Sequence, residues 1–175
     1  MKNGVYKIVL YSMYALKLFF IALIFILTSC LEIEELPIIP HIEFKSFSSF
    51  EARDTLGNMV TIGELIFELE DGDGDIGREG RSVREFADSS NSDVFITQYN
   101  KVEGEYIKDT TQVNLYYILP TLDPEGFNKT LKGEVKIEIV YYIIEYDTIQ
   151  YKFYIVDKAY HKSNVVTTPD LVFNN

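Results

Sequence analysis

Apolar and polar residues alternate with a period of two through most of this chain after residue 40, and no other feature constrains its fold so tightly. In TIGELIFELE, Leu65, Phe67 and Leu69 fall on one side, and Glu64, Glu68 and Glu70 on the other. Val135, Ile137 and Ile139 alternate with Glu134, Lys136 and Glu138 in the same way, and Ile149, Tyr151, Phe153 and Ile155 alternate with Gln150, Lys152 and Tyr154. Val113, Leu115, Tyr117 and Leu119 form a further set. Successive side chains of a strand point to opposite faces, so each run builds a sheet with one face on a core and one in water. That is the mark of antiparallel sheets. Shorter strand candidates are HIEFKSF, DVFITQY, GEYIKD and SNVVTT.

Turn chemistry separates the runs: Gly57-Asn58, the aspartate-glycine run after Glu70, Glu103-Gly104, Asp123-Pro124-Glu125-Gly126 and Lys162-Ser163-Asn164. No amphipathic helix exceeds two turns, and only REGRSVREFADSS has room for a short one. Strands of this number and spacing predict an all-β antiparallel sandwich of the immunoglobulin or fibronectin type III kind, with about seven to eight strands over residues 41–175. The chain has one cysteine and no tryptophan, which excludes the disulfide-and-tryptophan core of antibody domains. Its 13 tyrosines and 12 phenylalanines must fill that volume instead.

The first 29 residues do not join this pattern. Lys2, Lys7 and Lys17, with no acidic residue, precede the apolar run LFFIALIFIL and then LTSC. A basic stretch, a short apolar stretch and a small-residue cleavage site make a secretory signal. The apolar stretch is too short for a membrane span, and lengthening it backwards encloses Lys17. Leu27-Thr28-Ser29-Cys30 resembles the lipobox of bacterial lipoproteins. That resemblance implies cleavage before Cys30, acylation of its thiol and amino group, and a membrane partner reached through the anchor. Residues 30–40, with Glu32, Glu34, Glu35, Pro37 and Pro40, read as an extended tether.

Charge narrows the partners. The chain carries 16 basic and 27 acidic residues, net −11, and loss of the three signal lysines leaves −14. Such a body has no electrostatic footprint for nucleic acid. Cys30 is the only cysteine, so no internal disulfide forms and stability rests on the core.

One motif stands apart. FELEDGDGDIGREG places Asp71, Asp73 and Asp75 two apart, with glycines between them. Hard cations take oxygen ligands, and alternating aspartates in a loop direct carboxylates inward. The motif is not an EF-hand, because Ile76 stands where that loop needs glycine and Ser82 where it needs glutamate. In a sandwich, the loop after this strand and the loop after TIQYKFYIVD share one end, which brings Asp157 near and lets Asn164 add an amide oxygen. Asp71, Asp73, Asp75, Asp157 and Asn164 are therefore the candidate calcium ligands. The alternative is a structural turn, since glycine accepts positive φ and aspartate caps nearby amides.

PHIEFKSFS, IFELEDGDGDIG and YIVDKAYHKSNVVTTPDLV together resemble a set of small Bacteroidota outer-membrane lipoproteins. The resemblance implies an immunoglobulin-like domain held at the outer membrane, facing the periplasm or the cell surface. It brings no settled activity. Its members favour glycine and asparagine where this chain has Tyr160 and His161, which argues against a tight turn or a ligand there.

The two histidines, His41 and His161, belong to no HExxH, and there is no GxSxG, phosphate loop or cysteine cluster. The expected function is a non-catalytic, lipid-anchored binding or scaffolding module with a protein or glycan partner. The alternatives are a carbohydrate binder using Tyr116 and Tyr154, which fall on the outer phase of their strands, and a small hydrolase using paired carboxylates.

Overall fold

The computed structural model describes residues 13–14, 16–19, 36–77, 88, 90–110, 115–121 and 129–173. Cys30, Val113, most of REGRSVREFADSS and the Asp123–Gly126 turn lie outside them. The chain forms two compact units, Met1–Glu35 and Leu36–Asn175. In the first, residues 13–14 and 16–19 are helical. Among the described residues, no helix is long and apolar enough to cross a membrane.

The second unit is an antiparallel β-sandwich. Its strands are β1 (His41–Arg53), β2 (Met59–Asp71), β3 (Val94–Val102), β4 (Glu105–Lys108), β5 (Leu115–Tyr117), β6 (Leu131–Tyr141), β7 (Thr148–Ile155), β8 (Val166–Thr167) and β9 (Leu171–Val172). One sheet has the order β1-β2-β6; the other runs β4-β3-β7-β8, with β5 added on β3 and β9 on β7. The two sheets, of three and six strands, form the expected antiparallel sandwich. The extra strands come from short pieces. SNVVTT supplies only β8, and Pro169, which has no N–H to give a ladder, separates it from β9. The described part of QVNLYYIL pairs only over Leu115–Tyr117.

The inner faces are those set by the alternation. Leu65, Phe67, Leu69, Ile137 and Ile139 of the smaller sheet meet Val94, Ile96, Ile149, Tyr151, Phe153 and Ile155 of the larger one, all buried. Phe67 and Phe153 join the layers with ring centroids 5.2 Å apart. Gly63 lets two rings close over β2, because a Cβ there would sit 2.8 Å from Phe47 and 2.9 Å from Tyr141.

The outer faces differ in character. On the smaller sheet, Glu43, Glu64, Glu68, Glu70, Glu134 and Glu138 surround Lys45, Lys132 and Lys136. Lys45 bridges Glu68 and Glu134 from a β-bulge, and Lys136 bridges Glu64 and Glu138. On the larger sheet, Lys152 lies over the Tyr99 ring, Lys101 over Tyr106 and Lys162 over Tyr154, while Lys101 also pairs with Asp170.

Candidate functional site

Asp71 is the last residue of β2 and keeps the inward phase of Leu65, Phe67 and Leu69, so the strand carries a carboxylate into the sandwich end, where it is fully buried. The chain then folds back. The Asp75 N–H donates to Asp71 Oδ2 at 3.0 Å. Ile76 is fully buried and pins the loop to the core. Gly77 follows at φ +71°, and a Cβ there would sit 2.4 Å from the Pro120 carbonyl oxygen, so only glycine fits.

The fold-back gathers three carboxylates. Asp71, Asp73 and Asp75 each offer an oxygen, and these oxygens lie within 4.8 Å of one another. The Oδ1 atoms of all three are buried without a hydrogen-bond partner. Burial, then the charges of Asp73 and Asp75, then that of Asp157, push the Asp71 carboxyl up to about 7. Asp75 is also raised, by burial and then by Asp157 and Asp73. Like charges are thus crowded on a folded loop, and one oxygen of each carboxyl group meets no donor. Calcium–oxygen distances of about 2.3–2.6 Å place two ligands of one ion at most about 5 Å apart, which the cluster matches.

The loops after β2 and β7 emerge at the same end. Lys158 N–H donates to the Asp75 carbonyl at 3.1 Å, and Ala159 N–H to Asp75 Oδ2 at 3.1 Å. Asp157 is fully buried there, but both its oxygens serve His161: Oδ1 accepts the His161 N–H at 2.7 Å and Oδ2 lies 2.9 Å from Nδ1. Asp157 thus adds negative field while holding a turn. Asn164 is not brought into the cluster's service. Its Oδ1 accepts the Ile42 N–H and its Nδ2 donates to the Ile42 carbonyl, each at 2.8 Å. Of the five candidate ligands the structure therefore gathers three, places Asp157 beside them, and uses Asn164 to fasten β1.

The Asp157–His161 turn is tight in spite of its sequence. Tyr160 takes φ +68°, the left-handed region that favours glycine. The expectation that Tyr160 and His161 argue against a turn is therefore corrected: the hydrogen bonds of Asp157 hold Tyr160 in the conformation glycine would take freely. Sequence reasoning also missed the approach of Leu36–Pro37 to the motif, since a contact between backbone atoms carries no residue signature. The Gly72 N–H donates to the Pro37 carbonyl at 2.8 Å.

Tyr116 and Tyr154 come together on the outer face of the larger sheet, on either side of Phe95. The Phe95 ring stacks on Tyr154 at 4.9 Å and 6°, and meets Tyr116 edge-on at 5.5 Å. Lys162 Nζ sits 3.7 Å from the Tyr154 ring centre. A cleft of about 520 Å³ lies at the opposite end of the sandwich, lined by Gln98, Asp109, Tyr142, Ile143, Ile144 and Tyr146 among others. Thr61 pairs with Tyr141 at that end, and Asp71 with Leu131 at the aspartate end.

No known protein family, curated protein or solved structure matches this chain.

Proposed function

We propose that this protein is a lipid-anchored, non-catalytic binding or scaffolding module of the bacterial cell envelope, and that Asp71, Asp73 and Asp75 hold a calcium ion that stiffens it. The observation that carries the reading is the set of buried, unpartnered Oδ1 atoms on three carboxylates whose ligand oxygens lie within 4.8 Å of one another. The lipobox at Cys30 supports the anchor. The role of the ion is structural: Asp71 Oδ2 and Asp75 Oδ2 already accept backbone amides, and the cluster pins strand ends together, away from the 520 Å³ cleft. A sugar platform at Tyr154 is disfavoured, because such a platform needs an open ring face. Phe95 and Lys162 approach Tyr154 from opposite neighbours of β7 and cover both of its faces.

Extracellular modules hold calcium with Kd of about 0.1–1 mM. At several millimolar calcium this adds about 1–2 kcal/mol, or a Tm rise of roughly 3–8 °C for a domain of this size. Thermal melting in calcium and in chelator tests it; equal Tm in both would remove the ion from the proposal.

A further inference from the structure

Gly72, the residue between the first two aspartates, is where the segment preceding β1 touches the domain. Its N–H donates to the Pro37 carbonyl at 2.8 Å. A Cβ at this position would lie 2.2 Å from the Leu36 carbonyl oxygen and 2.7 Å from that of Pro37, so the two backbones meet at a distance that only glycine permits. Pro40 is buried, whereas Pro37, Ile38 and Ile39 are exposed. The compact unit accordingly starts at Leu36, and part of the stretch the sequence assigns to a tether lies against the aspartate loop.

We propose that cation binding at Asp71, Asp73 and Asp75 clamps the Leu36–Pro37 segment onto the domain, and that loss of the ion releases it. This rests on the calcium reading given above. The Oδ1 atom of fully buried Asp71, which has no hydrogen-bond partner, is a second observation beside the proximity of the three carboxyl groups. Gly72 lies between two ligands on one short stretch of backbone. An ion that draws Asp71 and Asp73 together fixes the Gly72 N–H in its direction towards Pro37. Without the ion, three acidic side chains within 4.8 Å are left facing one another, and the shortest relaxation opens the Asp71–Asp75 fold-back and carries Gly72 away from Pro37. Thr130 Oγ1 donates to the Gly72 carbonyl at 3.4 Å, while Ile76 in the core and Lys158 and Ala159 on Asp75 hold the loop beyond Gly72; none of these touches Leu36–Pro37. Freeing residues 36–39 lengthens the path from an anchor at Cys30 by up to roughly 13 Å, at about 3.3 Å per extended residue. The ion would then set how far the sandwich stands from the surface that holds it.

Coupling of this kind is reciprocal: if the ion favours docking, docking favours the ion by the same factor. The test uses the full chain in detergent micelles, titrated with calcium against chelator. Affinity is followed by calorimetry, and the order of Ile38, Ile39 and the Gly72 amide by nitrogen-15 relaxation and amide exchange. Calcium should slow Gly72 exchange at least about tenfold and rigidify Ile38 and Ile39. Gly72→Ala, which displaces Leu36–Pro37 and leaves every carboxylate in place, should keep Ile38 and Ile39 loose in saturating calcium. A chain shortened to begin at Ile39, which keeps every core residue from Ile42 onward and touches no ligand, should bind calcium about tenfold more weakly. Equal affinity in the shortened chain, with Ile38 and Ile39 of the full chain indifferent to calcium, would overturn the clamp and leave the ion site standing. No binding by the full chain would overturn both.

Discussion

Asn164 and Ile42, 122 positions apart, pair at two points: the asparagine carbonyl accepts the Ile42 N–H and its amide donates to the Ile42 carbonyl, both at 2.8 Å. The side chain takes the place of a neighbouring strand at the start of β1, where the backbone is partly buried. Asn164→Ala leaves both Ile42 groups unpaired, and two hydrogen bonds at about 1–1.5 kcal/mol each predict a loss of about 2–3 kcal/mol. Urea denaturation of the variant measures it. A midpoint equal to that of the parent would show that β1 is held by its ladder to β2 alone.

The Asp71 carboxyl titrates near 7 in the fold, against an ordinary value of 3.8. The folded state therefore holds this proton more tightly than the unfolded chain. The contribution of Asp71 to stability should be fully present below about pH 4, decline as pH rises towards 7 and be lost above it, by about 2–4 kcal/mol in chelator. A cation favours the ionised form, so calcium should flatten the decline. Asp71→Asn should abolish both the decline and the calcium response, and be the more stable protein at pH 8 in chelator. Melting curves from pH 4.5 to 8.5 in the two conditions decide this; a parallel decline with and without calcium would count against an ion at Asp71.

Tyr160 sits at φ +68° with its side chain largely exposed. A bulky residue in that region carries about 1 kcal/mol or more of backbone strain, which asparagine relieves while keeping a side chain. Tyr160→Asn should raise stability by about 0.5–1 kcal/mol without moving the His161–Asp157 hydrogen bonds. Differential calorimetry reads the gain, and a lower Tm would show that the tyrosine ring contributes more packing than its backbone loses.

Tyr151 is fully buried on β7, and its hydroxyl has no hydrogen-bond partner. Tyr151→Phe keeps the ring against Phe47 and removes the buried hydroxyl. Stability should rise by about 1 kcal/mol. A loss of that size on denaturant titration would instead reveal a water or partner group serving the hydroxyl.

Leu65, Phe67, Ile137, Ile139, Tyr151 and Phe153 were legible as core because a half-buried strand writes its orientation into alternate residues. The same phase continues to Asp71 in the structure, where it turns a carboxylate inward. Alternation fails where both faces of a strand are wet. The Ser48–Arg53 part of β1 extends HIEFKSF into a hairpin arm with mostly exposed residues, where Phe50 and Ala52 are too few to write a core-facing phase. An amide oxygen suits a cation and a backbone N–H equally, and Asn164 serves Ile42 because the whole fold brings Ile42 within reach. Tyr160 was misread because side-chain type records preference for a φ value, whereas the turn here is imposed by Asp157 and His161.

The two outer faces carry one further consequence. Glutamates outnumber lysines on the β1-β2-β6 face, while Lys101, Lys108, Lys152 and Lys162 stand among tyrosines on the β3-β7 face with Asp170 beside them. Among the described residues, charge is therefore separated across the plate that the two sheets form. Next to a charged layer such a plate experiences a torque as well as a net force, and presents its lysine-bearing side to negative charge. The torque weakens once ionic strength shortens the Debye length to about 8–10 Å, so salt would alter the plate's orientation before it altered its fold.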